Sequence, residues 1–162
     1  MNNQEYISFT LSETSKFKEC NTIFNIIKDC KKNGTNKTAQ FWLKRTPDCV
    51  VDYFNQSEKN KSWSLISLFQ FLIEDLDVTF TGLELDENGI GRLDFEANGY
   101  PYGGPSSLIT FLRAFGCIAT DIDDGSGVYK VSWKSNFIFK LKKESSDEPK
   151  GLKSIFGRLF KK

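Results

Sequence analysis

Apolar side chains recur every three or four residues in three segments of this chain, which is the spacing of a helix with one buried face. The pattern predicts helices near 13–32, 64–77 and 106–116. Ser62 or Ser64 can cap the second of these helices, because a short side-chain oxygen can accept a hydrogen bond from a free amide of the first turn.

Elsewhere in the chain, apolar and polar residues alternate as they do in strands that bury one face. Asn88-Gly89 separates two of these segments and is the residue pair that tight hairpins prefer. A short apolar run at 49–54 fits neither period clearly, so its secondary structure stays open. The alternation predicts strands near 7–11, 41–43, 78–85, 90–97, 129–133 and 137–141.

Consecutive hairpins favour an antiparallel sheet, and amphipathic helices can cover one of its faces. The sequence therefore predicts an α+β fold with a single domain over residues 1–143, in which about three helices pack on the sheet. A polar linker is expected at 144–149, followed by a cationic amphipathic helix over 150–162. A chain of 162 residues suits one such domain with one hydrophobic core.

The segment 150–162, referred to below as the tail, combines an apolar stripe with positive charge. It holds five Lys or Arg residues and no acidic residue. Such a helix can lie on an acidic membrane, in a groove of another protein, or on the body of its own chain. We expect it to anchor the protein on an outside surface through the five residues of the stripe, Leu152, Ile155, Phe156, Leu159 and Phe160.

The charge of the chain is unevenly distributed, although its net value is only +1. Because the tail takes five of the 22 basic residues and none of the 21 acidic ones, the rest of the chain is net negative. Segment 74–96 is the most acidic part, with Arg92 as its single basic residue. Glu84, Asp86 and Glu87 are candidates for contact with a basic partner, since opposite charges steer association. A solvated acidic face is the alternative interpretation.

A second candidate surface is the loop 99–105, in which glycines and prolines flank Tyr100 and Tyr102. Rigid aromatic side chains present contact area at low entropic cost, and tyrosine is enriched at binding hot spots. The alternative is a structural connection in which one of the two tyrosines closes the core.

The residue types exclude several kinds of catalytic site. The chain contains no histidine and therefore cannot build a Ser-His-Asp or Cys-His relay from its own residues. Its cysteines form no C-x-x-C pair and are expected to be buried free thiols: Cys20, Cys30, Cys49 and Cys117. The acidic stretch 121–127 lacks ligands that a calcium loop requires, and it is predicted to be a hairpin turn. We expect no catalytic residue, cofactor or metal ligand.

Two functions fit these features. The first is a small protein-binding module, such as an inhibitor, an immunity protein or an adaptor, that binds another, basic protein through its acidic or aromatic surface. The alternative is a peripheral membrane or scaffold-docked protein that its C-terminal helix anchors. The N-terminal residues show no signal-peptide pattern, which favours a cytoplasmic location. Specific nucleic-acid binding is not expected, because the basic residues outside the tail are scattered.

The role of the tail can be tested by replacing Phe156 and Phe160 together with glutamate. We expect the double variant to lose binding to vesicles of acidic lipid, or to a protein that the wild type retains, because the apolar stripe is broken. Its thermal unfolding midpoint as an isolated monomer, measured by calorimetry, should equal that of the wild type. A lower midpoint would mean that the tail packs on its own body, and the anchor hypothesis would then fail.

Overall fold

The computed structural model describes residues 4–144. The helices in this range are α1 (Phe17–Asn33), α2 (Ala39–Arg45), α3 (Asp48–Lys59), α4 (Leu65–Gln70) and α5 (Ser106–Ala114). The strands are β1 (Glu5–Thr10), β2 (Val78–Leu85), β3 (Ile90–Ala97), β4 (Ile118–Asp123), β5 (Val128–Trp133) and β6 (Phe139–Lys143). A 3-10 turn precedes α1, and a π-helical segment, Phe71–Asp75, continues α4. The predicted tail helix and nearly all of the predicted linker lie outside the described residues.

The six strands form one antiparallel sheet in the order β2-β3-β1-β4-β5-β6. Ile7 and Phe9 of β1 and Leu93 and Phe95 of β3 are fully buried, and the core lies between this face of the sheet and the helices. The intervening side chains of both strands lie on the opposite, more exposed face. The prediction of a single α+β domain with an antiparallel sheet is confirmed.

The three predicted helices are present, and local capping explains the end of α1 and the start of α4. Gly34 follows α1 with a φ of 66°, a left-handed conformation that glycine adopts without a steric penalty. Ser64 precedes α4, and its hydroxyl accepts a hydrogen bond from the Ser67 amide at 3.1 Å. Within residues 4–144, no helix has the length and the hydropathy that crossing a bilayer would require.

The prediction of a strand at 41–43 is wrong, because these residues belong to α2. The Thr38 hydroxyl accepts a hydrogen bond from the Phe41 amide at 3.1 Å and so caps the helix. Trp42 is 1% exposed and its indole NH donates to Asn36 Oδ1, whereas Leu43 is 50% exposed. In a segment this short, one buried side chain and one cap decide the structure, and two apolar residues at i and i+2 do not.

The open run 49–54 is part of α3, whose buried side carries Val50, Phe54 and Ser57 at helical spacing. Cys49 lies outside this buried side of the helix and is exposed. The expectation that all the cysteines are buried is therefore wrong for Cys49, although the other three are buried free thiols.

Phe69 on α4 joins three other helices in the core. Its ring lies 5.0 Å from the ring of Trp42 on α2, 6.2 Å from Phe54 on α3 and 6.0 Å from Phe111 on α5, measured between centroids. Phe69 itself is 0% exposed. Aromatic pairs at these separations add to the stability that burial alone provides.

The contact between β1 and β3 predicts an unequal response of two strand glycines. A Cβ at Gly91 would overlap the Phe9 ring and lie 2.8 Å from the Glu84 carbonyl oxygen, whereas at Gly82 the nearest atom is 3.9 Å away. We expect Gly91→Ala to lower the free energy of unfolding by about 1–3 kcal/mol, as overpacking does. Gly82→Ala is the matched control and should leave it nearly unchanged. Urea unfolding of both variants measures the difference, and equal stabilities would contradict the packing described here.

Candidate functional site

The loop 99–105 gives its two tyrosines different environments. Tyr102 is 5% exposed and packs on Phe95, with 5.9 Å between the ring centroids. Tyr100 is 63% exposed and meets Tyr102 edge-on at 5.7 Å. Tyr102 therefore closes the core beneath the loop, and Tyr100 is the ring that the loop presents to solvent.

A buried carboxylate fixes the exposed ring. The Tyr100 hydroxyl donates a hydrogen bond of 2.6 Å to Glu5 Oε1, and Glu5 is 6% exposed at the start of β1. The second oxygen of Glu5 accepts a hydrogen bond from the Ala97 amide at 3.4 Å. Tyr100 thus reaches from the end of β3 across β1 to the turn after β4, where a Cβ at Gly125 would overlap its hydroxyl.

The turn between β4 and β5 brings two more carboxylates to the same end of the sheet. Asp123 Oδ1 accepts a hydrogen bond from the Gly125 amide at 2.9 Å, and Asp124 Oδ1 accepts one from the Ser126 amide at 2.9 Å. These bonds form the turn and occupy one oxygen of each carboxylate. We call the set Glu5, Tyr100, Asp123 and Asp124 the acidic–tyrosine end.

The carboxylates of the acidic–tyrosine end act together on the Tyr100 phenol. The hydrogen bond to Glu5 is the main reason that the pKa of Tyr100 rises to about 12, and burial and the negative charges of Glu5, Asp124 and Asp123 add to it. Burial, with the same carboxylates, also raises the pKa of Tyr102. Among residues 4–144, no Lys or Arg forms an ion pair with Glu5, Asp123 or Asp124. These carboxylates thus carry no directly paired cation within that range, although the Lys143 ammonium group lies beside the same turn, 3.6 Å from where a Cβ at Gly127 would be.

The other predicted contact residues lie at the opposite end of the sheet. Glu84 is near the end of β2, and Asp86 and Glu87 lie in the turn that follows it. A strand of this length separates the two ends by about 25 Å. Asp86 Oδ1 accepts hydrogen bonds from the Asn88 and Ile90 amides at 2.8 and 2.9 Å, so this carboxylate closes the turn.

The acidic residues of segment 74–96 do not form one patch in the folded protein. Some lie before β2, some lie beyond its other end, and some lie along β3. On β3, Asp94 forms an ion pair of 2.6 Å with Arg92, whose guanidinium group lies 4.0 Å from the centre of the Tyr6 ring. The structure therefore does not join Glu84, Asp86 and Glu87 to Tyr100 and Tyr102 in a single cluster.

Sequence reasoning missed Glu5, Asp123 and Asp124 as neighbours of Tyr100. One signal was available for Glu5, because strand alternation gives it the same face as Ile7 and Phe9. A carboxylate in that position must find a buried hydrogen-bond partner. No comparable signal existed for the aspartates, since only strand pairing brings their turn beside the loop 99–105.

The acidic–tyrosine end combines negative charge with one exposed aromatic ring. Within the described part of the chain, no three acidic or cysteine side chains are grouped as a metal ion would need. Comparisons with protein-family models, with curated proteins and with solved structures give no match.

The hydrogen bond between Tyr100 and Glu5 predicts that the Tyr100 phenol loses its proton at a higher pH than an ordinary tyrosine does. We expect Glu5→Gln to lower the pKa of Tyr100 from about 12 towards the usual value of 10.0, because a neutral amide no longer stabilises the protonated phenol. Spectrophotometric titration measures this, with Tyr100→Phe to assign the signal. Tyr53, whose pKa burial raises to about 12, should not respond to Glu5→Gln and is the internal control.

The sign of the linked stability effect follows from the same pKa. The folded value lies above the unfolded one, so the hydrogen bond stabilises the fold fully below about pH 10 and is lost as the pH rises through about 12. An unchanged Tyr100 titration in Glu5→Gln would show that the carboxylate does not hold the phenol.

Proposed function

We propose that this protein is a small protein-binding module, of the kind that inhibitors, immunity proteins and adaptors represent, and that its acidic–tyrosine end contacts the partner. The observation that carries the proposal is Tyr100, a ring that is 63% exposed and yet held by a buried carboxylate. A large side chain that is already fixed loses little conformational entropy on binding, which is why such rings are frequent hot spots.

The charges around Tyr100 select a basic partner. Asp123 and Asp124 are half-buried, and each uses Oδ1 within its own turn. Their other oxygens have no hydrogen-bond partner among the described residues and can accept bonds from a ligand. An arginine suits this arrangement best, because its guanidinium group can stack on the Tyr100 ring while it donates to a carboxylate.

The distribution of charge over the chain supports the same class of partner. Outside the tail, acidic residues outnumber basic ones. A net negative body attracts a basic protein, although at physiological salt the attraction acts over only about 8 Å. Electrostatic steering therefore affects the association rate, and the contact with Tyr100 affects the dissociation rate.

The proposal can be tested with a protein that the full-length chain captures from an extract of its native host. We expect Tyr100→Ala to weaken the complex by about 30-fold, the loss typical of a central aromatic contact, mainly through faster dissociation. Asp124→Asn should slow association and reduce its salt dependence, because the amide keeps the oxygen that the turn uses but lacks the charge. Surface plasmon resonance at two salt concentrations measures both effects.

The control variant carries Glu84→Gln and Glu87→Gln at the opposite end of the sheet, and it leaves Asp86 to close its turn. It should bind as the wild type does. If this variant loses binding while Tyr100→Ala keeps it, the partner contacts the other acidic end and the proposal is wrong. Urea unfolding of every variant separates lost binding from lost folding.

The tail supports a second, separate proposal, in which the protein is held at a cytoplasmic membrane surface or on a scaffold. Its support is the combination of five apolar residues at helical spacing with five basic residues. The apolar side chains would enter the membrane interface, and each basic residue near an acidic lipid surface contributes about 1 kcal/mol. The Phe156 and Phe160 variant described above tests this proposal without altering the acidic–tyrosine end.

A further inference from the structure

Lysine is concentrated in the hairpin that β5 and β6 form. Residues 128–143 contain five lysines and no acidic residue. When the linker and the tail are included, residues 128–162 hold ten of the 22 basic residues of the chain and only three of its 21 acidic ones. The chain is therefore electrically polarised, with a basic C-terminal part and an acidic remainder.

The hairpin forms one edge of the sheet. β6 pairs with β5 on one side and has no strand neighbour on its other side in the described part of the chain. Lys140 and Lys142 are exposed on β6, and the register places Lys142 opposite Lys130. These three side chains lie on the face that the helices do not cover, because Tyr129, next to Lys130, pairs with the buried Ile122.

The fold neutralises only one of these three lysines. Lys130 forms ion pairs with Asp121 and, at 3.5 Å, with Glu144. Lys140 and Lys142 form no ion pair with any group that the structure describes. Like charges directly opposite each other destabilise a sheet, so the two carboxylates account for Lys130 beside Lys142. They leave Lys140 and Lys142 without a counter-charge of their own.

The turn of the same hairpin adds a cation and an exposed apolar side chain. The Lys134 amide donates a hydrogen bond to the Ile138 carbonyl at 2.8 Å, Lys134 is exposed, and Ile138 is 52% exposed. Lysines on an edge strand discourage pairing with other chains, but that role does not account for a lysine and an isoleucine in the turn. An acidic membrane interface suits both, because it attracts cations and takes up apolar side chains.

The tail follows the hairpin closely along the chain. The Glu144 amide donates a hydrogen bond to the Val128 carbonyl at 2.9 Å, so the chain leaves the sheet at the end of the hairpin away from its turn. The linker 144–149 reaches at most about 20 Å, which is close to the length of a five-residue strand such as β6. The tail can therefore meet the same surface as the exposed side of β6.

We propose that the β5–β6 hairpin lies on an acidic lipid surface beside the tail, with Lys134, Lys140 and Lys142 towards the headgroups and Ile138 in the interface. This inference rests on the membrane form of the second proposal above and adds the orientation of the body. The β2 edge of the sheet then points away from the lipid. A nucleic acid would use the cations, but it would not use Ile138 or the apolar stripe of the tail.

Sedimentation of the full-length protein with lipid vesicles tests this orientation. The wild type should bind phosphatidylcholine vesicles that contain about 30% phosphatidylserine, because acidic lipid attracts basic side chains. Lys140→Gln with Lys142→Gln should weaken this binding about 25-fold, since each lysine near acidic lipid contributes about fivefold. The attraction extends only about 8 Å at physiological salt, so a loss of this size requires the hairpin to touch the surface.

The matched control is Lys28→Gln with Lys32→Gln, which removes the same charge from α1 beside β2, at the other edge of the sheet. It should bind vesicles as the wild type does, and thermal melting checks that both double variants fold. Equal losses in the two variants would show an effect of net charge alone and would overturn the proposal. Wild-type binding by the Lys140 and Lys142 variant would overturn it as well.

The Phe156 and Phe160 variant separates this inference from the anchoring proposal on which it rests. If it loses vesicle binding while the Lys140 and Lys142 variant keeps it, the tail anchors the protein alone and only the orientation is wrong. If it binds as the wild type does, the anchoring proposal fails and this inference fails with it. Tighter binding to single-stranded polyuridylate than to the acidic vesicles would assign the hairpin to nucleic acid and contradict the lipid contact.

Discussion

The first strand of the chain lies in the middle of the sheet, and the other strands form one sheet only through it. β2 and β3 pair as a hairpin, and β4, β5 and β6 pair in sequence, but the two groups meet only where β1 bonds to β3 on one side and β4 on the other. Pairing β1 with β3 and β4 brings together residues that are far apart along the chain, which costs conformational entropy. Burial of Ile7 and Phe9, for which Gly91 leaves room, offsets part of that cost.

The position of β1 between β3 and β4 also assembles the candidate site. Glu5 begins β1, Tyr100 follows β3, and Asp123 and Asp124 end β4 and begin the turn after it, so the set belongs to three neighbouring strands. Without β1 between them, the phenol would lose its acceptor and the two aspartates would lie beside no aromatic ring. The residues of the acidic–tyrosine end therefore come together only when these strands pair in the sheet. The proposed binding surface thus exists only when β1, β3 and β4 have paired.

The helical layer depends on local signals that compete over short distances. The alternation of Phe41 and Leu43 predicts a strand. The Thr38 cap and the burial of Trp42 against Phe69 instead favour a helix. The connection from α2 to α3 then leaves Thr46 buried and the start of α3 uncapped.

The sequence by itself determined the α+β class, three of the helices and the hairpin between β2 and β3, because periodicity, caps and turn residues act within a few residues of each other. It also identified Tyr100 and Tyr102 as notable, but left open which of them closes the core. Only the tertiary structure decided that Tyr102 is buried, that Tyr100 meets Glu5, and that Glu84, Asp86 and Glu87 lie at the other end of the sheet. These outcomes depend on strand order and on pairing between distant segments. One sequence carries no local signal for such pairing, since its free energy belongs to the assembled sheet.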